Sequence, residues 1–315
     1  MICPLCRNST KALGVKPCLE DFETGLYYCY GCGSMFREPM PTVDQLQKYY
    51  SRFKFDISNL IFLRRVKKCE GQVKYIEGVL HEFKINKNTH ILDLGAGIGI
   101  LVYLLRQRGF SSVVGVEPRE TAIDYAKQKL GVDLVKGYCE DAHLHANQDS
   151  SVLLMSHVLE HMPNPVYFMQ YLKRYFSKSY LWIEVPDGNY ESSEFNGVVA
   201  WQMGLDQHLW SFTEKGLCSL LQGLDFKILK AEHAVNYSFM ARRRKLYLSL
   251  MLERLEFPKN LNNVTKLEIF VKKTELFIGE VYHRYLFFRE QKLFNSEKIY
   301  IPDNPCVMRL FVQIP

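Results

Sequence analysis

The most constraining feature of this chain is a glycine-rich segment at residues 91–99, I-L-D-L-G-A-G-I-G, which joins an apolar stretch to an apolar helical pattern. Glycine has no Cβ, so Gly95, Gly97 and Gly99 let the backbone turn sharply and approach a ligand closely. The following helix directs its unpaired N–H groups towards the same point. The segment therefore predicts a cradle for a nucleotide cofactor, although tight turns of this kind also occur for packing alone.

An acid further along the chain supports the cofactor interpretation. A second predicted strand ends in Glu117, where a βαβ unit places the acid that accepts hydrogen bonds from ribose hydroxyls. The dinucleotide fingerprint G-x-G-x-x-G needs a glycine at position 100, where this chain has Ile100. A nicotinamide or flavin dinucleotide is therefore the weaker fit.

Three blocks in this order, D-L-G-A-G-I-G, then V-G-V-E-P at 114–118 and S-H-V-L-E-H-M-P-N-P at 156–165, resemble the class I S-adenosylmethionine-dependent methyltransferases. The resemblance implies an α/β, Rossmann-like fold with a seven-stranded, mostly parallel sheet. It also implies that the glycine loop holds the methionine and ribose parts of S-adenosylmethionine and that the strand-2 acid binds the ribose. The strand-4 block would face the methyl acceptor. These roles fall on Asp93, Gly95, Gly97, Gly99, Glu117 and His157.

The loop near the adenine departs from the G-D-A-E-D-L pattern that is usual in the family. Tyr138 stands where an acid is expected, which leaves the Cys139 backbone, Glu140 and Asp141 as candidates for adenine contact. The predicted cofactor-binding set is Asp93, Gly95, Ala96, Gly97, Gly99, Glu117, Cys139, Glu140, Asp141 and Ser156.

Two C-x-x-C pairs lie near the N-terminus, Cys3 with Cys6 and Cys29 with Cys32. Four thiolates at this spacing are typical of a tetrahedral zinc site, with disulfides or unused thiols as the alternatives. A closed four-cysteine site leaves no open position for water, so we expect a structural Zn²⁺ in a zinc ribbon.

The ribbon and the residues after it resemble the head of methyltransferases from surface-polysaccharide and deoxysugar pathways, of which the sugar C-methyltransferases are best known. The stretches that carry this resemblance are L-Y-Y-C-Y-G-C-G-S-M-F-R-E-P-M-P and Q-L-Q-K-Y-Y. In those enzymes the head and a helical linker cover the active-site mouth, and a histidine ending a Y-H-E-H run serves as base. The matching residue here is His208, preceded by Leu205 and Gln207 where the family has tyrosine and glutamate. The loss of those partners favours an O- or N-acceptor over carbon.

His157 and His208 are the candidate catalytic residues. Methyl transfer from a sulfonium is an in-line displacement that needs a base only if the nucleophile must lose a proton, and histidine titrates in the right range. Either histidine could instead have a packing or hydrogen-bonding role.

Glu160 and His161 admit a further interpretation, because related quinone O-methyltransferases have an E-x-x-E-H stretch that binds a divalent cation. Here His157 replaces the first acid of that stretch. His157, Glu160 and His161 could therefore bind a metal, but helix capping and hydrogen bonds to neighbouring groups would also explain Glu160 and His161.

Composition sets wider bounds on the chain. Its 315 residues, 47% of them hydrophobic, suffice for one full α/β domain with accessory segments. An N-terminus that starts at a cysteine pair and the lack of a long apolar run predict a cytoplasmic protein without a membrane span. Nine cysteines, an odd number, suit reduced thiols. The net charge of +6 would attract phosphorylated substrates, nucleic acid or a membrane surface, and it does not distinguish among these three.

The order of predicted strands and helices indicates a parallel sheet with helices on both faces. The resemblance to class I methyltransferases implies an antiparallel pair of strands at the end. We predict a zinc ribbon at 1–40, a helical linker or cap at 41–85 and a methyltransferase core at 86–236. Residues 237–303 then form a helical insertion before the last strand, and residues 304–315 are that final strand. The insertion is interpreted as a lid or a dimerisation element, which leaves a homodimer open; a membrane-surface or nucleic-acid patch is the alternative.

The sequence therefore predicts a methyltransferase that uses S-adenosylmethionine and a structural zinc. Its expected acceptor is a small sugar-like or nucleotide-sugar molecule in glycan or secondary metabolism. The first alternative is an RNA methyltransferase, since zinc heads also occur in ribosomal RNA enzymes, although the ribbon lacks dense basic and aromatic interleaving. The second alternative is a non-catalytic, methyltransferase-like scaffold.

Overall fold

The computed structural model describes residues 1–19, 22–52, 59–145, 151–188, 207–235 and 306–315. Residues 1–235 and 306–315 belong to one compact unit. The predicted insertion at 237–303 lies outside the described residues.

The described strands are β1 (Thr10–Cys18), β2 (Phe22–Cys29), β3 (Met35–Glu38), β4 (His90–Leu94), β5 (Val113–Glu117), β6 (Val135–Lys136), β7 (Ser151–Ser156), β8 (Tyr180–Pro186), β9 (Trp210–Ser211), β10 (Lys227–Val235) and β11 (Cys306–Gln313). The described α-helices are α1 (Val43–Ser51), α2 (Asn59–Glu82), α3 (Ile100–Gln107), α4 (Glu120–Leu130), α5 (Pro165–Tyr175) and α6 (Glu214–Gly223). None of these helices combines the length and the apolar character that a membrane crossing requires.

The central layer is a seven-stranded sheet in the order β10-β11-β8-β7-β4-β5-β6. The strands from β8 to β6 run parallel, while β11 pairs antiparallel with both β8 and β10. This topology confirms the predicted Rossmann-like, mostly parallel sheet that ends in an antiparallel pair. The alternation of strands and helices in the sequence indicated the parallel part, and the resemblance to class I methyltransferases implied the antiparallel pair.

The middle strands carry almost continuous apolar runs because helices cover both faces of the sheet. All five residues of β4 are buried, as expected for a strand that is enclosed from two sides. Its Ile91 packs in one core cluster with side chains of α2 and α3, whereas the adjacent Leu92 packs in another with side chains of α5 and α6. The fold therefore leaves the carboxyl ends of the strands as the edge where a ligand can bind.

The N-terminal strands form a separate four-stranded sheet in the order β1-β2-β3-β9. Its last strand, β9, comes from the segment just after His208, and Phe36 of β3 is paired with Trp210 of β9. Thr213, which caps α6, donates its hydroxyl to the Cys32 carbonyl at 2.5 Å. The cysteine-bearing segment is thus hydrogen-bonded to the part of the chain that carries His208.

Candidate functional site

The glycine loop lies between β4 and α3, at the carboxyl edge of the sheet. Gly95, Gly97 and Gly99 have φ values of 71°, 57° and 72°, in the left-handed region that favours glycine. A Cβ on Gly95 would lie 2.7 Å from a methyl group of Val158, whereas a Cβ on Gly97 would meet no described atom within 4 Å. The loop is therefore closely packed at its start and open at Gly97.

Two buried carboxylates flank this opening. Asp93 and Glu117 are 2% and 1% exposed, near the ends of the adjacent strands β4 and β5. Burial, together with the nearby charge of Glu117, raises the pKa of Asp93 to about 8. Among the described residues, Asp93 Oδ2 has no hydrogen-bond partner. A buried acceptor of this kind indicates that a donor from outside the described chain belongs beside it.

Glu117 is held towards the loop. Its Oε2 accepts the Gly97 backbone N–H at 2.8 Å, and its Oε1 accepts from the Arg119 backbone N–H at 3.1 Å and from Arg119 Nε at 2.6 Å. The carboxylate therefore lies directly beside the open glycine.

The predicted adenine segment forms a 3₁₀ turn, Cys139–His145, which packs near β4 and β5. Asp141 Oδ2 accepts the Tyr138 backbone N–H at 2.8 Å, so this side chain shapes the turn. Burial raises the pKa of Glu140. The turn and the glycine loop thus lie on the same edge of the sheet. Within the glycine loop, Ala96 donates its backbone N–H to the Val116 carbonyl at 3.0 Å, so this N–H is not available to the cofactor.

Ser156 belongs to a buried polar network that the sequence did not reveal. Gln72 of α2 donates to Ser156 Oγ at 2.6 Å and to Glu184 Oε1 at 3.1 Å. Arg309 of β11 donates to the other oxygen of Glu184 at 2.6 Å. Burial opposes ionisation of Glu184, but hydrogen bonding to His157 and the charge of Arg309 outweigh it and place its pKa at about 2.

His157 follows β7 with a φ of 54°, which is unusual for a residue with a side chain. Its Nδ1 lies 3.2 Å from Glu160 Oε1, and its Nε2 lies 3.4 Å from Glu184 Oε1. Burial favours the neutral ring, yet these two carboxylates raise the pKa of His157 to about 9. The imidazole is consequently held as a cation between two anions near neutral pH.

His208 has the opposite character. It is 6% exposed, and its Nδ1 has no hydrogen-bond partner among the described residues. Burial and the neighbouring His161 lower the pKa of His208 to about 3, so the ring is neutral. Its carbonyl accepts from Arg37 Nε at 2.8 Å, and the next backbone N–H, of Leu209, donates to the Glu160 carbonyl at 2.9 Å.

Three of these side chains, those of Glu160, His161 and His208, form a cluster that we call the histidine group. Glu160, His161 and His208 each offer one donor atom, and these atoms lie within 4.8 Å of one another. The rings of His161 and His208 have centroids 4.7 Å apart. The sequence had suggested His157 for this group; instead, His157 pairs with Glu160 and Glu184, and His208 takes the third position.

Aromatic residues of α1 lie beside this group. The Tyr49 hydroxyl donates to Gln207 Oε1 at 3.3 Å, and the Tyr50 ring lies 6.5 Å from the His161 ring. The guanidinium of Arg119 lies 5.9 Å from the centre of the Tyr50 ring. Helix α1 therefore contacts both the histidine group and the residue that holds Glu117.

The four cysteines of the N-terminal pairs come together as a cluster. Cys3 Sγ lies 3.9 Å from Cys32 Sγ, and Cys6 Sγ lies 3.4 Å from Cys29 Sγ. All four sulfurs lie within 4.8 Å of one another. Four sulfurs around a zinc ion at about 2.3 Å would be roughly 3.8 Å apart, so the cluster has dimensions that suit a tetrahedral metal.

Several residues of the site were missed from the sequence. Glu184 left a usable signal, because it is an acid within the apolar run L-W-I-E-V-P of β8. Gln72 and Arg309 left none, since only the packing of α2 and the register that pairs Arg309 with Glu184 bring them to the site.

The sheet topology, the glycine loop and the acid at the end of β5 together define the class I methyltransferase fold. A family model described as a methyltransferase domain matches residues 69–231, and the chain belongs to this family. It is therefore an S-adenosylmethionine-dependent methyltransferase by family. No curated protein sequence is significantly similar to the chain.

Solved structures with a similar fold include methyltransferases of low sequence identity. The plantazolicin methyltransferase BamL, solved with a triazolic desmethylPZN analog and SAH, is 15% identical at a TM-score of 0.45, covering 79% of this chain and 85% of its own. Coclaurine N-methyltransferase, bound to N-methylheliamine and SAH, is 14% identical at a TM-score of 0.46, with 85% of each chain covered. An S-adenosylmethionine-dependent methyltransferase from Archaeoglobus fulgidus is 16% identical at a TM-score of 0.40, covering 76% of this chain and 94% of its own.

Proposed function

We propose that this protein transfers a methyl group from S-adenosylmethionine to a small sugar-like or nucleotide-sugar acceptor in glycan or secondary metabolism. The observation that carries the proposal is the open glycine loop at Gly97, with the buried carboxylates of Asp93 and Glu117 on its two sides. A hydroxyl-rich acceptor is supported by the resemblance of the head and linker and by the polar side chains that α1 adjoins.

On the cofactor side, Glu117 would bind the ribose hydroxyls, and the backbone of the loop from Gly95 to Gly99 would lie against the cofactor. Asp93 Oδ2, which has no hydrogen-bond partner among the described residues, would accept a hydrogen bond from a positively charged group of the cofactor. That positive charge would also lower the raised pKa of the Asp93 carboxyl. Ser156 and the turn of Cys139, Glu140 and Asp141 complete the proposed set. When bound, S-adenosylmethionine supplies a methyl group on a sulfonium, which is displaced in line by the acceptor atom.

On the acceptor side, the two predicted catalytic histidines take different roles. His157 is protonated, and both of its ring nitrogens face carboxylates, so it would orient the acceptor through its position and charge rather than accept a proton. His208 is neutral and buried, and it would contact the polar group that becomes methylated. The two histidines are assigned different roles because only His208 keeps an unprotonated ring nitrogen near neutral pH.

For the N-terminal cluster we propose one Zn²⁺ bound by Cys3, Cys6, Cys29 and Cys32. The sulfur separations support it, and four protein ligands leave no position for a reacting group, so the metal would be structural. Because the site requires reduced thiols, we also propose a cytoplasmic location. The role of residues 237–303 as a lid or dimerisation element stays a prediction.

A methyl-transfer screen tests the acceptor class. Purified protein, labelled S-adenosylmethionine and either a panel of nucleotide sugars or total RNA are incubated, and the labelled product is identified. We expect label on a nucleotide sugar, lost at least tenfold in His157→Gln and His208→Asn and retained in His81→Asn. His81 is exposed in the last turn of α2 and belongs neither to the histidine group nor to the proposed cofactor set, which makes it a matched control. Preferential labelling of RNA would contradict the proposed acceptor and support the alternative enzyme.

A further inference from the structure

We propose that Glu160, His161 and His208 bind a divalent transition-metal cation, at a site separate from the four-cysteine cluster. The role of this cation towards the acceptor depends on the function proposed above, whereas its binding does not. The first support is geometric, because one atom from each side chain lies within 4.8 Å of the others. Ligands about 2.1 Å from a dication are roughly 3.4 Å apart, so side-chain shifts on the order of 1 Å would close the site.

The available lone pairs point the same way. His161 Nδ1 lies 3.0 Å from the Gln207 carbonyl, which can only accept, so this nitrogen carries the proton and Nε2 keeps its lone pair. A carbonyl that fixes the tautomer in this manner is usual for a metal-binding histidine. The Nε2 atom of His161 is therefore the one available for coordination.

The other two side chains contribute buried polar atoms that lack partners. Glu160 is 1% exposed and His208 is 6% exposed, and within the described part of the chain neither Glu160 Oε2 nor His208 Nδ1 has a hydrogen-bond partner. A buried polar group without a hydrogen-bond partner destabilises the folded protein. Two such groups in one place indicate a missing ligand, and a cation would satisfy both of them together with His161.

The surrounding contacts hold these side chains in place. Glu160 Oε1 faces His157 Nδ1 at 3.2 Å, which leaves Oε2 for the cation. The backbones of the two ligand segments are joined by the Leu209 N–H and the Glu160 carbonyl, at 2.9 Å. Arg37 anchors the His208 carbonyl at 2.8 Å from the side of the cysteine-bearing sheet. Hydrogen bonds of this kind, made to the ligand residues by their neighbours, orient the side chains that bind a metal.

The donor set indicates the class of metal. Two imidazoles and one carboxylate suit Zn²⁺, Fe²⁺, Co²⁺ or Ni²⁺ better than Ca²⁺ or Mg²⁺, which prefer oxygen ligands. Three protein ligands leave coordination positions open, in contrast to the closed four-cysteine cluster. With the cation bound, His208 would act on the acceptor through the metal: a hydroxyl at an open position has a lowered pKa and loses its proton to solvent, which would prepare the acceptor oxygen for methylation.

Zinc stoichiometry tests the proposal. The full-length protein is loaded with Zn²⁺ in the presence of a weak competing chelator, and metal per chain is measured by mass spectrometry. We expect two zinc ions in the wild type and in His81→Asn, an exposed site on α2, but one in Glu160→Gln and one in His161→Asn. Glu160→Gln is nearly isosteric and keeps an acceptor oxygen for His157 while removing the anionic ligand.

Binding of S-adenosylhomocysteine to the same preparations shows that each variant is folded and separates this inference from the proposed function. Wild type that binds one zinc, or variants that still bind two, would overturn the metal site even if the cofactor binds normally. Two zinc ions in a wild type that binds no cofactor would support the metal site and contradict the proposed function. Loss of methyl transfer in Glu160→Gln with cofactor affinity unchanged would support the role of the cation.

Discussion

Replacement of Gly97 by arginine should remove cofactor binding while leaving the fold intact. Gly97 has a φ of 57°, and a side chain in this left-handed conformation costs about 1–2 kcal/mol. Because a Cβ at this position meets no described atom within 4 Å, there is no steric clash to add. A domain of this size should therefore melt about 2–8 °C lower. The arginine side chain would nevertheless fill the space beside Glu117 that the cofactor is proposed to use.

Gly131 provides a matched control, because it has a φ of 63° and caps the end of α4, and a Cβ there would likewise meet no described atom within 4 Å. Thermal unfolding with and without S-adenosylhomocysteine measures both effects in one assay. A ligand at about one hundred times its Kd stabilises a protein by about 2.7 kcal/mol. We expect the resulting rise in Tm in the wild type and in Gly131→Arg, and none in Gly97→Arg. An unchanged rise in Gly97→Arg, or its equal loss in both variants, would refute the reasoning.

Three further predictions concern stability and the metal cluster. Cys6→Ser should lose the structural zinc and melt lower, whereas Cys218→Ser should keep it, as metal analysis would show. Thr213→Val should cost about 1–2 kcal/mol in urea unfolding and speed zinc release to a chelator, because the helix cap and the bond to the cysteine segment are both lost. Hydrogen bonding to Asp187 raises the pKa of His233 from 6.5 to about 9, against its burial. The raised pKa of His233 should add up to about 3 kcal/mol to the free energy of unfolding. This stabilisation should be complete below pH 6.5 and should be lost as the pH rises through about 9. His233→Gln should not show this extra loss in urea unfolding; equal pH dependence in both proteins would contradict the assignment.

The cofactor edge of the fold was predictable because its signals are local. The glycine loop follows the short apolar strand β4 and Glu117 ends the short apolar strand β5, and the parallel pairing of these strands brings them together. Regular alternation of strands and helices then indicates the other parallel strands, whereas the antiparallel pair was expected only from the family resemblance. The residues concerned are neighbours in the βαβ unit, so no distant contact has to be known.

The acceptor edge depends on contacts between distant parts of the chain. His208 reaches Glu160 because its segment is held by Arg37 and by the short pairing of β3 with β9. No periodic pattern specifies that pairing, since β9 has only two residues. For the same reason the sequence suggested His157 as a member of the Glu160 group, whereas Glu184, from another strand, holds that ring. The sequence alone does not show which distant segments lie side by side, and this was the information missing for the acceptor edge.

The most direct test of the account is calorimetric titration of the wild-type protein with S-adenosylmethionine and S-adenosylhomocysteine. The cradle formed by Asp93, Gly97 and Glu117 predicts one molecule bound per chain with micromolar affinity, and turnover of the bound S-adenosylmethionine when a nucleotide-sugar acceptor is added. A folded preparation that binds neither compound would contradict the central claim and leave the scaffold as the better description.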